Sequence, residues 1–141
     1  MKSTATAVWQ GSIKEGKGEL TAGSGTFTAT PYTFAKRFEG AGAGTTPEEL
    51  IAAAHSGCFA MALSGALGSA GFAPTKLTVK ATVTLEPVDG KPTVSSSVLE
   101  LEATVPGIDD AKFQEVAAGA KAGCPISRVL NTNITLVAKL V

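Results

Sequence analysis

The stretch from Pro47 to about Ala70 carries no charged residue after Glu49, and this constrains the chain more than any other feature. It begins as a helix should. Thr46 suits the N-cap, Pro47 the first helical position, and Glu49 the third, where it completes a capping box. Glu48 and Glu49 also favour the positive end of the helix dipole. Gly71 is placed to end the helix, and Pro74 prevents its resumption. The apolar run Leu50 to Leu67 approaches the length of a bilayer span. His55, Ser56, Ser64 and the many small residues make it instead a buried helix of a soluble protein. Leu50, Ile51, Phe59, Met61, Leu63 and Leu67 point in several directions, so the helix wants cover on every side. A lone small domain rarely supplies that cover, and a homodimer would.

The chain has 141 residues, the usual size of a single domain, which is expected over 1–141. Hydrophobic residues make up 44% and charged residues 17%, enough apolar surface to offset chain entropy. Twelve basic residues balance twelve acidic ones, leaving no field to attract nucleic acid or an anionic membrane. The start, Met1 to Trp9, reads as neither a secretory signal nor an anchor, so a cytoplasmic location is expected. The two cysteines, Cys58 and Cys124, lack the paired spacing of a zinc site or a thioredoxin-like motif, which makes a structural metal improbable. A disulfide between them would be transient in a reducing compartment.

Glycine and proline punctuation sets out the remaining elements. Ala5 to Leu20 reads as a hairpin, and Thr21 to Thr30 as a loop with at most a short strand. Alternation from Leu77 to Leu85 marks a strand, a turn follows at Pro87-Asp89-Gly90, and a second strand runs from Thr93 to Val105, weakened by Ser95-Ser96-Ser97. Asp109 or Asp110 caps a helix that ends at Gly123. Cys124-Pro125 opens a short helical piece to about Leu130, and Ile134 to Leu140 alternate as a last strand. This order is α+β, with hairpins supplying antiparallel pairing and helices packed on one side.

Five residue positions bear on chemistry. Cys58 sits mid-helix, where a small buried hydrophobe is one reading and a nucleophile the other; the second needs a cation, for which Arg37 is the candidate. Cys124 precedes a proline and suits an N-cap, where the helix end draws a thiol pKa downward. Local reasoning taken alone favours Cys124 as the nucleophile. His55 lies one turn before Cys58, but a hydrolase would also need an orienting partner and an oxyanion site. A buried, hydrogen-bonded histidine is the preferred reading. Glu48 is less constrained than Glu49, and favourable interaction with the helix start is by itself a sufficient reading of it.

Three segments carry a resemblance. Arg37-Phe38-Glu39-Gly40, the run Thr46-Pro47-Glu48-Glu49-Leu50-Ile51-Ala52-Ala53-Ala54-His55-Ser56-Gly57-Cys58-Phe59, and Lys121-Ala122-Gly123-Cys124-Pro125-Ile126-Ser127 closely resemble the signature segments of the OsmC/Ohr family, nearer its OsmC branch. Order and spacing agree over essentially the whole chain, including Pro106-Gly107-Ile108. Thr46 departs from the family's usual Asn, a change between two capping residues. The resemblance implies an intertwined α+β homodimer, with antiparallel sheets packed on long central helices. It also implies a thiol peroxidase that prefers organic hydroperoxides to hydrogen peroxide and serves oxidative and osmotic stress defence.

Carried over residue by residue, Cys58 is peroxidatic and Cys124 resolving. Arg37 would stabilise the thiolate and the peroxide oxygen, and Glu48 would orient Arg37. No role is carried over to His55. The implied cycle passes through a Cys58 sulfenic acid and a Cys58–Cys124 disulfide, reopened by an external dithiol, without metal, haem or flavin. A lipid-like ligand-binding protein with structural thiols is the main alternative, and a Cys-His hydrolase a further one. Neither explains Arg37, Glu48, Cys58 and Cys124 together.

Overall fold

In the computed structural model, which describes residues 1–141, turns rich in glycine and proline separate six strands from three helices. The order is β1 (Ala5–Gln10), β2 (Lys17–Ala22), β3 (Thr30–Tyr32), a π-helical turn at Ala35–Glu39, α1 (Pro47–Ser69), β4 (Lys76–Val88), β5 (Lys91–Thr104), α2 (Asp110–Gly123), α3 (Pro125–Val129) and β6 (Asn133–Leu140). The chain divides into two compact units, Met1–Leu50 and Ile51–Val141.

The first unit is built on an antiparallel sheet in the order β1-β2-β3. Trp9, Gly18 and Tyr32 lie opposite one another on its three strands. Their arrangement explains the glycine, because a side chain at Gly18 would collide with both rings. Without one, Trp9 and Tyr32 approach to 5.4 Å between centroids in a tilted pair. The hairpin expected from Ala5 to Leu20 is present and extends to Ala22. The loop that follows ends in β3, whose Pro31 occupies an edge strand, where a missing N–H breaks no ladder.

The second unit holds the core. Here β4 and β5 pair antiparallel along their whole length, and β6 joins β5 in parallel. This sheet is therefore mixed rather than antiparallel throughout. The physical reason is the connection: α2 and α3 carry the chain from the end of β5 back to its start, a crossover that yields a parallel neighbour. Ser95 is the extra residue of a bulge opposite Thr84 and Leu85, and its hydroxyl donates to the Glu86 carboxylate. Past the bulge, Ser97, Leu99, Leu101 and Ala103 alternate inward and are buried. From α1 the buried stripe is His55, Phe59, Leu63 and Leu67, one residue per helical turn. Phe113, Ala117 and Ala120 complete it from α2. Burying each large side chain of this cluster contributes about 1.5–3 kcal/mol.

Local chemistry sets the helix ends. Thr46 Oγ1 accepts the Glu49 N–H at 3.1 Å, the N-cap bond the sequence predicts. The reciprocal arm differs: the Glu49 carboxylate takes the Thr45 hydroxyl at 2.6 Å instead of closing the capping box on the Thr46 amide. For α2 the cap is Asp109, whose carboxylate accepts the Lys112 N–H at 2.8 Å. Gln114 Nε2 donates to the Ala138 carbonyl at 2.9 Å, tying α2 to β6. α1 is long and apolar enough to cross a membrane, but its His55-to-Leu67 stripe lies in the core of the second unit. Met61, 79% exposed, points away from that core, as do the small residues Ala53, Ala54, Gly57, Ser64, Gly65 and Gly68.

Candidate active site

Both cysteines belong to the second unit, and the fold brings them together from separate elements. Cys58 lies on α1 one turn beyond His55, half-buried. Cys124 is fully buried at the bend where α2 becomes α3. There its N–H reaches the Ala120 carbonyl at 2.9 Å and its own carbonyl accepts the Arg128 N–H at 3.0 Å. Its ψ of 123° is non-helical, the geometry that a following proline imposes. One residue thus closes α2 and opens α3, which fixes its side chain against α1. The two sulfurs are 3.2 Å apart and both thiols are free.

A hydrogen bond between two thiols serves either direction. Cys124 donating to Cys58 stabilises charge on Cys58, and the reverse stabilises it on Cys124. The surroundings are unequal. Burial pushes the Cys58 thiol up; the Ile126 N–H pulls the other way, and the neighbouring Cys124 adds to the rise. Burial acts upward on Cys124 too, but the Ser127 N–H, the Cys58 thiol, the Ser127 hydroxyl and the Ile126 N–H together outweigh it and bring the thiol down. Within this unit the local field therefore favours Cys124 as the thiolate, as helix-end reasoning predicts.

In the first unit Arg37 and Glu48 meet. The π-helical turn, stopped by Gly40 in the left-handed region, presents Arg37 to the carboxylate at the first turn of α1. Nη2 donates to Glu48 Oε1 at 2.7 Å, and Nε donates to both carboxylate oxygens at 3.1 and 3.2 Å. Glu48 is buried, so this pair is more than a surface contact. Glu48 thus has Arg37 as its partner besides its place at the helix start. Nη1 takes no part in the pair. Arg37 Cζ also lies 5.2 Å from the Phe38 ring centroid. An open pocket of about 240 Å³ adjoins it, lined by Trp9, Ile13, Tyr32, Thr33, Phe34, Arg37 and Phe38. It is an apolar, aromatic pocket with one guanidinium.

His55 is fully buried and hydrogen-bonded, as its sequence context predicts. Nδ1 is 2.8 Å from Ser97 Oγ and Nε2 is 2.8 Å from Ser127 Oγ. With both ring nitrogens occupied by hydroxyls, no Cys58–His55 pair forms, and the hydrolase alternative loses its base. Burial lowers the His55 pKa, so the ring is neutral near pH 7. The two serines were not singled out from sequence. The signals were there: Ser97 interrupts an inward-facing apolar series, and Ser127 follows Cys124 within one turn.

The chain is similar in sequence and in fold to known proteins. The family described as OsmC-like protein matches residues 40–139. Peroxiredoxin OsmC of Escherichia coli (strain K12) is 50% identical over 130 residues, which cover 92% of this chain and 90% of that protein. The organic hydroperoxide resistance protein of Xanthomonas axonopodis pv. citri (strain 306) is 31% identical over 102 residues, 70% of this chain and 68% of the relative. Among solved structures, the organic hydroperoxide resistance protein OhrB of Bacillus subtilis superposes with a TM-score of 0.70 at 23% identity, covering 98% of both chains. An OsmC-like protein of Vibrio cholerae gives 0.74 at 16% identity, covering 98% of this chain and 99% of its own.

Proposed function

Because this chain belongs to the OsmC-like protein family, it is a peroxidase acting on hydroperoxides, and we propose that it works through two thiols, Cys58 as the peroxidatic and Cys124 as the resolving cysteine. The observation that carries this reading is the 3.2 Å approach of two free thiols held by α1 and by the α2–α3 bend. A bonded disulfide needs about 2.05 Å between sulfurs, so closure asks for a shift of roughly one ångström.

The Cys58 thiolate attacks the outer peroxide oxygen; an S–O bond forms as the O–O bond breaks, and the leaving alkoxide takes a proton to become an alcohol. Sulfur is oxidised and the peroxide reduced. Cys124 then attacks the Cys58 sulfenic acid; an S–S bond forms as the S–O bond breaks, and water leaves. An external dithiol reopens the disulfide by exchange.

The local field favours Cys124, so a Cys58 nucleophile needs a further cation. Arg37 fills that role in this proposal, stabilising the Cys58 thiolate and the departing oxygen, with Glu48 fixing the guanidinium. Support comes from the bidentate grip of Glu48, which leaves Nη1 available. The aromatic pocket beside Arg37 suits the apolar part of an organic hydroperoxide, which supports a preference for such substrates over hydrogen peroxide. We take the working unit to be a homodimer of single-domain chains, 1–141, located in the cytoplasm. The family match crosses the boundary at Leu50, and the exposed small-residue face of α1 suits a second copy. Steady-state reduction of cumene hydroperoxide and of hydrogen peroxide, with several dithiols compared as donors, tests the reading. Faster turnover of cumene hydroperoxide is expected. Equal rates, or consumption that persists in the Cys58→Ser protein, would contradict it.

A further inference from the structure

The proposed cycle ends with an external dithiol, and the two sulfurs that it must separate are not equally open to it. Cys124 belongs to the core of the second unit and has no exposed surface. Its backbone is tied on both sides, the N–H to the Ala120 carbonyl at 2.9 Å and the carbonyl to the Arg128 N–H at 3.0 Å, so turning the residue outward breaks the junction of α2 and α3. Cys58 is half-buried, packed against the core from the middle of α1. Beside it on the helix Ala54 and Gly57 are exposed, and a side chain added at Gly57 would meet nothing within 4 Å. The approach to Cys58 along that side of α1 is therefore free of bulky cover.

Thiol–disulfide exchange is an in-line displacement: the entering thiolate meets one sulfur from the side opposite the other, which leaves. Access to the attacked sulfur is thus a condition of the step. From a separation of 3.2 Å, closing the disulfide moves the sulfurs by roughly one ångström, too little to carry Cys124 out of the core. A second copy laid on α1 adds cover and removes none. Cys58 keeps an opening in either state, because under the proposed mechanism the peroxide reaches it there. The leaving group points the same way: the thiol of lower pKa departs faster, and Cys124 is shifted down where Cys58 is shifted up.

We propose that the external dithiol enters at the Cys58 sulfur and that Cys124 is the leaving thiol, so that one sulfur meets both the oxidant and the reductant. The inference rests on the Cys58–Cys124 disulfide of the proposed function. The entering thiolate forms an S–S bond with Cys58 as the Cys58–Cys124 bond breaks; Cys124 departs with the electron pair and takes a proton. The second thiol of the donor, as its thiolate, then attacks the sulfur of the first. The mixed disulfide breaks, Cys58 leaves with its electron pair as a thiolate, and the donor departs as a disulfide. The protein disulfide is reduced and the dithiol oxidised.

The test uses the full-length chain with its disulfide closed by one equivalent of cumene hydroperoxide. Excess 2-mercaptoethanol, a monothiol unable to complete the second step, is added, and samples are quenched in acid at the earliest times and digested with pepsin, which keeps exchange stopped. Peptide mass spectrometry then reads which cysteine carries the adduct. At least about tenfold more adduct is expected on Cys58 than on Cys124, since access decides which sulfur is attacked. Repeated in urea that unfolds the chain, with both sulfurs exposed, the reaction should place adduct on the two cysteines in comparable amounts. Adduct mainly on Cys124 in the folded chain would overturn the proposal. A Cys58 preference as large in urea would overturn it too, because burial would then not direct the attack. Diamide closes the same disulfide without peroxide, so a failure of the peroxidase reading, seen as no disulfide after cumene hydroperoxide, leaves the ratio measurable. A chain in which diamide closes no disulfide either would overturn the proposal as well.

Discussion

Under the proposed mechanism one of the two thiols, Cys58 or Cys124, is ionised, and the position of the proton they then share depends on groups that each act within a few ångströms. Amide N–H groups at the start of α3 draw charge to Cys124, while Cys58 sits where burial and its neighbour raise its pKa. Under the proposed mechanism Arg37 reverses that order. Arg37→Met should slow cumene hydroperoxide reduction by at least about tenfold, the effect of removing ~1.4 kcal/mol of transition-state stabilisation. Stopped-flow rates under single turnover check it, and a wild-type rate with an unchanged Cys58 pKa would make Arg37 a surface charge only. Glu48→Gln should act in the same direction, because the neutral amide grips the guanidinium less firmly.

The elements carry their own tests. Thr46→Ala removes the hydroxyl that caps α1 and should cost about 1 kcal/mol in urea titration. Leu63→Ala opens a cavity in the buried stripe of α1 and should cost 2–5 kcal/mol, roughly the range for such truncations. His55 also makes stability depend on pH. Its pKa in the folded chain lies below the ordinary 6.5, so between those values only the unfolded chain binds the proton. The contribution is complete above 6.5 and is lost as pH falls through that value towards the folded one. Melting temperatures of the wild-type protein should therefore fall more steeply as the pH drops below 6.5 than those of His55→Gln. Parallel slopes would show that folding does not lower the His55 pKa.

Much of this was legible in the chain. The capping residues at Thr46 and Pro47, the alternation along β4 and β5, and the Cys124-Pro125 bend are local signals, and each predicts its element to within a few residues. The parallel pairing of β6 was not legible, because strand direction depends on where α2 and α3 deliver the chain. Nor were the partners of His55, which come from β5 and α3 and meet it only in the folded unit. The Arg37–Glu48 pair likewise joins residues on separate elements, and only the family resemblance pointed to it.

At the scale of the whole molecule, the exposed face of α1 is the feature still to be satisfied. Met61 and the small residues Gly57, Gly65 and Gly68 would let a second copy approach closely. Sedimentation velocity at micromolar concentrations should find a homodimer, and a stable, fully active monomer would remove it from the account. Under the proposed mechanism Cys58, and not Cys124, meets the peroxide. Mass spectrometry of the Cys124→Ser and Cys58→Ser proteins, each mixed with one equivalent of cumene hydroperoxide, reads this directly. A single added oxygen on Cys58 is expected in the first protein and no comparable oxidation in the second. Oxygen appearing first on Cys124, with Cys58 untouched when it is the only thiol, would contradict it and give the nucleophile's role to the thiol that the local field favours.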